Sequence, residues 1–326
     1  MNTQSPGTDR PRARSVRVDG ARVACWESGP LDAEPVLLLH GYPADHHCWR
    51  HQAPPLAARH RVVAPDLLGW GESDRPRHLP FDYDTEVARI GRLLDALGLD
   101  SVNLVGHDYG GFLALGFTET HPARVRRLAV LNSRAHATFT RRWYAVFSLI
   151  GIAGRTPALR PAAMRLPYAA LHRRTFAPLV RAGQLDARLL DGYVDWMDTP
   201  EGRRWLLHYF GDYRTPPRPE LRRRLGAVTC PTAVVWGRAD PYLSPDIATG
   251  LAAAVPGAEL TMLDDAGHWV MDERPADVTA ALLRLLERPE RPERPERPER
   301  PERPERPERP ERPERPERPE GPATNR

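Results

Sequence analysis

The sequence predicts an α/β fold, a mostly parallel β-sheet flanked by helices and interrupted by an all-helical insertion. Three observations predict it. Short apolar runs at 36–39, 62–64, 102–105, 128–131 and 233–236 have the length and composition of strands buried on both faces. Helical patterns separate several of these runs. The alternation then stops between about 133 and 227, where only helical patterns, arginines and aromatics occur, and it resumes at Thr232.

Taken in order, residues 15–26 alternate apolar and polar side chains around Asp19-Gly20, a hairpin signal. Residues 85–97 (TEVARIGRLLDAL) place apolar side chains three and four apart, with Asp84 available as a helix cap. The helical insertion follows the sixth strand and reads as a cap over the sheet. After it come the strand TAVVWG, a helix near 246–254, a last strand at 259–263 and a helix at 274–286 that Pro289 stops. The expected divisions are a disordered 1–14, a core at 15–133 and 227–287, a cap at 134–226 and a disordered tail at 288–326.

Composition narrows the function classes. The chain has 326 residues and a formal net charge of +4. Arg-Pro-Glu repeats run from Arg288 to Glu320, and proline at every third position favours an extended, solvated segment over a packed one. Every basic side chain other than histidine is arginine, spread along the chain without the aromatic interleaving of a nucleic-acid surface. Cys25, Cys48 and Cys230 are an odd number with no metal spacing, which fits reduced thiols in a cytoplasmic protein. The first fifteen residues lack the apolar core of a signal peptide, and the longest apolar run, 145–153, is too short to span a bilayer. The expected partner is a small-molecule substrate, with no nucleic acid and no membrane, for a monomer or homodimer.

The chemistry lies in four short stretches. Val105-Gly106-His107-Asp108-Tyr109-Gly110-Gly111 follows a strand and opens a helix, so Asp108 occupies the apex of a sharp turn whose flanking glycines remove colliding Cβ atoms. The helix directs its N-terminal amides at that apex, which favours negative charge there. His40-Gly41-Tyr42-Pro43 ends the strand VLLLH, and Pro43 would fix this loop. Gly237-Arg238-Ala239-Asp240-Pro241 follows the first strand after the insertion, and Gly267-His268-Trp269 follows the last strand. Asp264 and Asp265 share the loop of His268 and read as structural, and Asn132 ends another strand without a carboxylate to offer. His107 reads as a packing or hydrogen-bonding residue rather than a chemical one. His46, His47, His172 and the other scattered histidines lack metal-ligand spacing, so no metal is expected. No dinucleotide fingerprint follows the first strand, so no cofactor is expected either.

HGYP, DLLGWGESD (66–74), GHDYGG, GRADPY and GHW together resemble the α/β-hydrolase superfamily. More narrowly they are similar to its branch with an aspartate nucleophile, which contains epoxide hydrolases and haloalkane or haloacetate dehalogenases. The resemblance covers about residues 15–286. It implies Asp108 as nucleophile, Asp240 as the acid that orients His268, and His268 as base, with the Tyr42 and Tyr109 amides as oxyanion hole. It further implies a two-step reaction: Asp108 attacks an sp³ carbon to form an ester, and water activated by His268 hydrolyses that ester. Tyr109 departs from the tryptophan common at its position, which disfavours a halide leaving group. For leaving-group or substrate contacts the candidates are Tyr213, Tyr168 and Tyr144 of the cap, with His40 and Pro43 of the HGYP loop. The expectation is a cofactor-free epoxide hydrolase. The alternatives are a haloalkane or haloacetate dehalogenase and a non-catalytic small-ligand-binding protein.

Overall fold

The computed structural model describes residues 11–134, 137, 139–213 and 218–290. The first ten residues and most of the Arg-Pro-Glu segment, both expected to be disordered, lie outside them. Eight strands form one sheet in the order β1-β2-β4-β3-β5-β6-β7-β8. They are β1 (Arg12–Val18), β2 (Ala21–Ser28), β3 (Pro35–Leu39), β4 (Arg61–Pro65), β5 (Val102–His107), β6 (Val125–Leu131), β7 (Thr232–Gly237) and β8 (Glu259–Leu263).

β1 and β2 form the expected hairpin, turned by Asp19 and Gly20 at φ 52° and 80°, the paired left-handed geometry of a tight two-residue loop. Its first strand begins at Arg12 opposite Glu27, which corrects the expected disorder of 12–14. β2 runs antiparallel to β4, and the remaining strands are parallel. From β3 the chain steps outward to β4, then returns to β5 on the other side and continues through β6, β7 and β8. The order therefore reverses between β3 and β5, and ligands of open α/β sheets bind beyond the strand ends at such a reversal. The HGYP loop and the Asp108 turn leave the sheet there.

Helices α1 (Ala53–Ala57), α2 (Tyr83–Leu97) and α3 (Tyr109–Thr120) precede the insertion. Asp82, rather than the expected Asp84, caps α2, because its carboxylate reaches back to the Thr85 amide at 3.1 Å. α3 is apolar on nearly every side and buried along its first ten residues, as a helix at the centre of a layered fold must be. Between β6 and β7 the described chain has only helices: α4 (Arg141–Arg155), α5 (Arg160–Ala163), α6 (Tyr168–Arg181), α7 (Ala187–Val194), α8 (Pro200–Asp212) and α9 (Pro219–Arg224), with short 3₁₀ turns. α10 (Pro245–Ala254), α11 (Val270–Glu273) and α12 (Pro275–Glu287) complete the sheet's flanks. The start of the expected tail is also corrected. Arg288 donates to the carbonyls of Thr232 and Gly257, and Glu290 pairs with Arg126 at 3.1 Å.

Candidate active site

Asp108 closes β5 at φ 49° and ψ −114°, a backbone conformation that non-glycine residues rarely adopt. The turn is possible because Gly106 and Gly110 have no side chains. A Cβ on Gly106 would lie 2.4 Å from the Gly110 carbonyl oxygen, and one on Gly110 would lie 2.3 Å from that of Leu39. The strain lifts the Asp108 carboxylate out of the sheet, where the Tyr42 amide donates to its Oδ2 at 3.0 Å.

His268 reaches the same point from the loop after β8. Its Nε2 is 3.9 Å from Asp108 Oδ1, and its Nδ1 is 2.7 Å from Asp240 Oδ2. Asp240 is itself held firmly: Oδ1 accepts the amides of Tyr242 and Leu243, and Oδ2 accepts the side-chain amide of Asn132 at 2.7 Å. Asn132, set aside in the sequence for want of a carboxylate, is the buttress of that carboxylate. Its Oδ1 also accepts the Gly237 amide, so it fixes the start of the Asp240 loop. His107 is a hydrogen-bonding residue, donating from Nε2 to the His268 carbonyl at 2.9 Å. Asp264 and Asp265 pair instead with Arg238 and Arg274 at the surface.

Electrostatics match this geometry. Burial raises the Asp108 carboxyl above the usual range, against the lowering effect of His268 and the Tyr42 and Tyr109 backbone amides. Burial alone would lower His268, but the charge and hydrogen bond of Asp240, with the charge of Asp108, lift it above the ordinary histidine value. An imidazole oriented by one carboxylate and aimed at another can take a proton from water beside the second.

Phenols gather near Asp108. Tyr213, at the C-terminus of α8, packs edge-on to Tyr109 with ring centroids 5.6 Å apart, and its hydroxyl accepts a hydrogen bond from Arg134 at 2.9 Å. Tyr209, one turn earlier, stacks on Tyr213 and packs against Tyr109, while Tyr242 lies edge-on to His268. Burial raises the phenols of Tyr42, Tyr209, Tyr213 and Tyr242, and the charge of Asp108 pushes each further up, so all four lie within reach of the carboxylate's field. Tyr209, Tyr242 and Arg134 were not singled out in the sequence. The spacing of Tyr209 and Tyr213, four apart on one helix face, was the available signal.

Other candidates are redirected. Tyr144 is 37% exposed on α4 and is not part of the site, because the inward face of that helix belongs to Phe147 and the glycines packed on α8. Tyr168 is buried, but its charged neighbours are Arg203 and Asp198 of the cap rather than Asp108. His40 is not a substrate contact: Nε2 accepts the Leu67 amide and Nδ1 donates to the Gly41 carbonyl, which occupies both ring nitrogens. Pro43 is buried behind the loop, joined to Tyr42 by a cis peptide bond. Tyr42 instead contributes through its side chain as well as its amide. His172 Nδ1 lies 2.6 Å from the Tyr168 carbonyl, which can only accept, so Nδ1 carries the proton and Nε2 accepts from the Tyr42 hydroxyl at 2.6 Å.

The sequence reading that His46 and His47 lack nearby ligand partners is also corrected. One turn brings donor atoms of Asp45, His46 and His47 within 4.8 Å of one another. Hydrogen bonds account for the grouping: His47 Nδ1 with Asp45 and His46 Nδ1 with the buried Asp66, each at 2.9 Å. Asp66, of the DLLGWGESD stretch, also accepts the amides of His46 and Glu72 and so ties two loops together.

Residues 34–275 match the family described as the alpha/beta hydrolase fold, and the chain belongs to it. Epoxide hydrolase A of Mycobacterium tuberculosis is 31% identical over 313 residues, covering 85% of this chain and 97% of the relative. A cis-3-alkyl-4-alkyloxetan-2-one decarboxylase of Xanthomonas campestris is 28% identical, over 85% and 96%. Among solved structures, an epoxide hydrolase of Bacillus megaterium in complex with an inhibitor superposes with a TM-score of 0.69 at 24% identity, covering 84% of this chain and all of that one. That structural likeness speaks for the fold.

Proposed function

We propose that this chain is an epoxide hydrolase that works through an ester on Asp108. The observation that carries the reading is the apex carboxylate itself, with a buried imidazole 3.9 Å away and the Tyr213 phenol within its field. A serine at this apex would form an ether with an alkyl substrate, which water does not readily cleave, whereas a carboxylate forms an ester, which it does. The similarity to the mycobacterial epoxide hydrolase supports the same choice.

In the first step an Asp108 oxygen bonds to a ring carbon and the ring C–O bond breaks. Tyr213 gives its proton to the departing oxygen, and the guanidinium of Arg134 balances the phenolate. In the second step His268 takes a proton from water, and the hydroxide adds to the Asp108 carboxyl carbon. Collapse breaks the bond to the substrate oxygen, which receives the proton held by His268, and the diol leaves. The proton left on the Asp108 carboxyl returns to Tyr213, so one water has been consumed. The Tyr42 and Tyr109 amides hold the oxyanion formed in this step.

A single turnover in ¹⁸O-water tests this reading. Label incorporated into Asp108 is the expected result, and label only in the diol would refute it. His268→Gln should accumulate a protein heavier by the mass of the epoxide. The substrate panel includes a haloalkane, a haloacetate and an oxetan-2-one. The last tests a second reading, prompted by the Xanthomonas relative, in which the strained ring is a four-membered cyclic ester. Tyr109 provides no indole for a halide, so halide release is expected to be the weakest activity.

A further inference from the structure

The first half of the insertion has a composition unlike the rest of the chain. No Asp or Glu occurs between Glu119 and Asp186. Within the described part of that span Arg141, Arg142, Arg155, Arg160, Arg165 and Arg174 are exposed. Among the described residues none of the six pairs with a carboxylate; Arg155 and Arg160 donate to the backbone carbonyls of Gly211 and Gly154, which cancel no charge. Elsewhere in this span Arg173 pairs with Asp191 and Asp195, and Arg124, Arg126 and Arg127, at the sheet before the insertion, pair with Asp95, Glu34 and Glu290.

Apolar side chains are exposed on the same segments. Leu149 is 66% exposed and Leu171 50%, with Ile152, Leu159 and Leu166 also exposed. On α4 the outward positions Ala145, Leu149 and Ile152 are spaced four and three apart, so they form one stripe. The opposite face is already used, with Phe147 stacked on Phe210 and Gly154 against α8. The outward stripe therefore has no structural duty inside the fold. It is bounded by Arg141 and Arg142 at one end and Arg155 at the other, and the segment carrying Leu159, Arg160, Arg165 and Leu166 follows directly.

We infer that this face of the cap docks on an anionic phospholipid surface. Protruding leucines and isoleucine enter the interface between headgroups and acyl chains, and arginines free of carboxylate partners meet the lipid phosphates. Positive charge without compensating acids disfavours packing against a second copy of the same face, which would bring like charges together. No helix among the described residues is long and apolar enough to cross a membrane, so the attachment is peripheral. The expectation of no membrane partner changes accordingly. This surface is independent of the reaction assigned to Asp108, but it bears on supply: the same cap provides Tyr209, Tyr213 and His172 to the site, so an apolar substrate dissolved in lipid would meet the protein on its cap side.

Co-sedimentation of the full chain with vesicles tests the inference, using phosphatidylcholine alone and phosphatidylcholine mixed equally with phosphatidylglycerol. Binding to the mixed vesicles should be about tenfold stronger than to the neutral ones and should fall at about 0.5 M salt. The Leu149→Glu/Ile152→Glu and Arg141→Glu/Arg142→Glu variants should each lose it while keeping the parent's circular dichroism and turnover of a water-soluble substrate. Binding that persists in both variants would overturn the inference, as would no binding by the parent. A dimer in light scattering that Leu149→Glu/Ile152→Glu dissolves, without vesicle binding, would assign the face to a second copy. Binding to duplex DNA but not to vesicles would likewise overturn it.

Discussion

Arg134 donates from Nη1 to the phenolic oxygen of Tyr213 at 2.9 Å. A guanidinium has no acceptor, so Tyr213 must accept here, and its own hydrogen is left to point elsewhere. Arg134 is itself buried, its guanidinium 4.7 Å from the centre of the Phe112 ring. Burial raises the Tyr213 phenol, while the charge and hydrogen bond of Arg134 pull it down and the charge of Asp108 pushes it up. Once Asp108 is esterified that last effect vanishes, so Tyr213 becomes a stronger acid as the leaving oxygen needs its proton.

On this basis Tyr213→Phe should slow ester formation by about a hundredfold, the scale of a lost general acid. Arg134→Gln should slow the same step by about tenfold and have no further effect in the Tyr213→Phe background. Ester hydrolysis in pre-steady-state measurements should be little changed in all three. Slowing of both steps alike would mean that Arg134 merely supports the fold.

The hydrolytic step should be lost as pH falls through the His268 pKa, because only the neutral imidazole accepts a proton. That pKa is raised in the free protein, in part by the charge of Asp108. The ester has no such charge, so the midpoint for ester hydrolysis should lie below that of the free imidazole titrated by NMR. Stability carries the opposite sign. A raised histidine pKa stabilises the fold below its unfolded value, and this contribution is lost as pH rises through the folded value. Chemical denaturation should therefore show His268→Gln losing more stability, relative to the parent, at low pH than at high pH.

Asn132→Ala should leave Asp240 with one acceptor site unfilled and the Gly237 amide unpaired. We expect a loss of about 1–3 kcal/mol in urea denaturation, the cost of orphaned buried polar groups. Ester hydrolysis should slow more than ester formation, because His268 loses its fixed direction while Asp108 keeps the Tyr42 amide.

Tyr42→Phe removes the hydroxyl that His172 accepts and leaves a buried imidazole nitrogen without it. The expected cost is about 1–3 kcal/mol. Adding His172→Phe should recover part of that loss, read as a coupling in a double-mutant cycle. Simple additivity would deny the bond any net role. Because the Tyr42 amide also holds Asp108, the single variant should slow turnover as well.

Much of this architecture was legible because it is local. Five apolar runs named the buried strands, and Asp19-Gly20 marked the hairpin, since each depends on near neighbours in the chain. Asp108 was legible for the same reason: the glycines that permit its turn lie two residues to either side. Helix phase and long-range partners were not legible. Tyr144 and Tyr168 look equivalent in sequence, yet Tyr144 lies on the outward face of α4 while Tyr168 is buried. Nothing near His40 in the sequence marks its ring as engaged; the amide that occupies its Nε2 comes from Leu67, twenty-seven residues away.

By itself, then, the sequence determined the order of strands and helices, the cap's position after the sixth strand, and an aspartate at the apex of a strained turn. Turn chemistry and apolar period are written in adjacent residues, so they need no fold to be read. The tertiary structure decided which side chains share that apex: Asn132 behind Asp240, Arg134 on Tyr213, and His172 on Tyr42. Those pairs join residues 79 to 130 positions apart, and only the closing of the sheet and the seating of the helices brings them within hydrogen-bond distance.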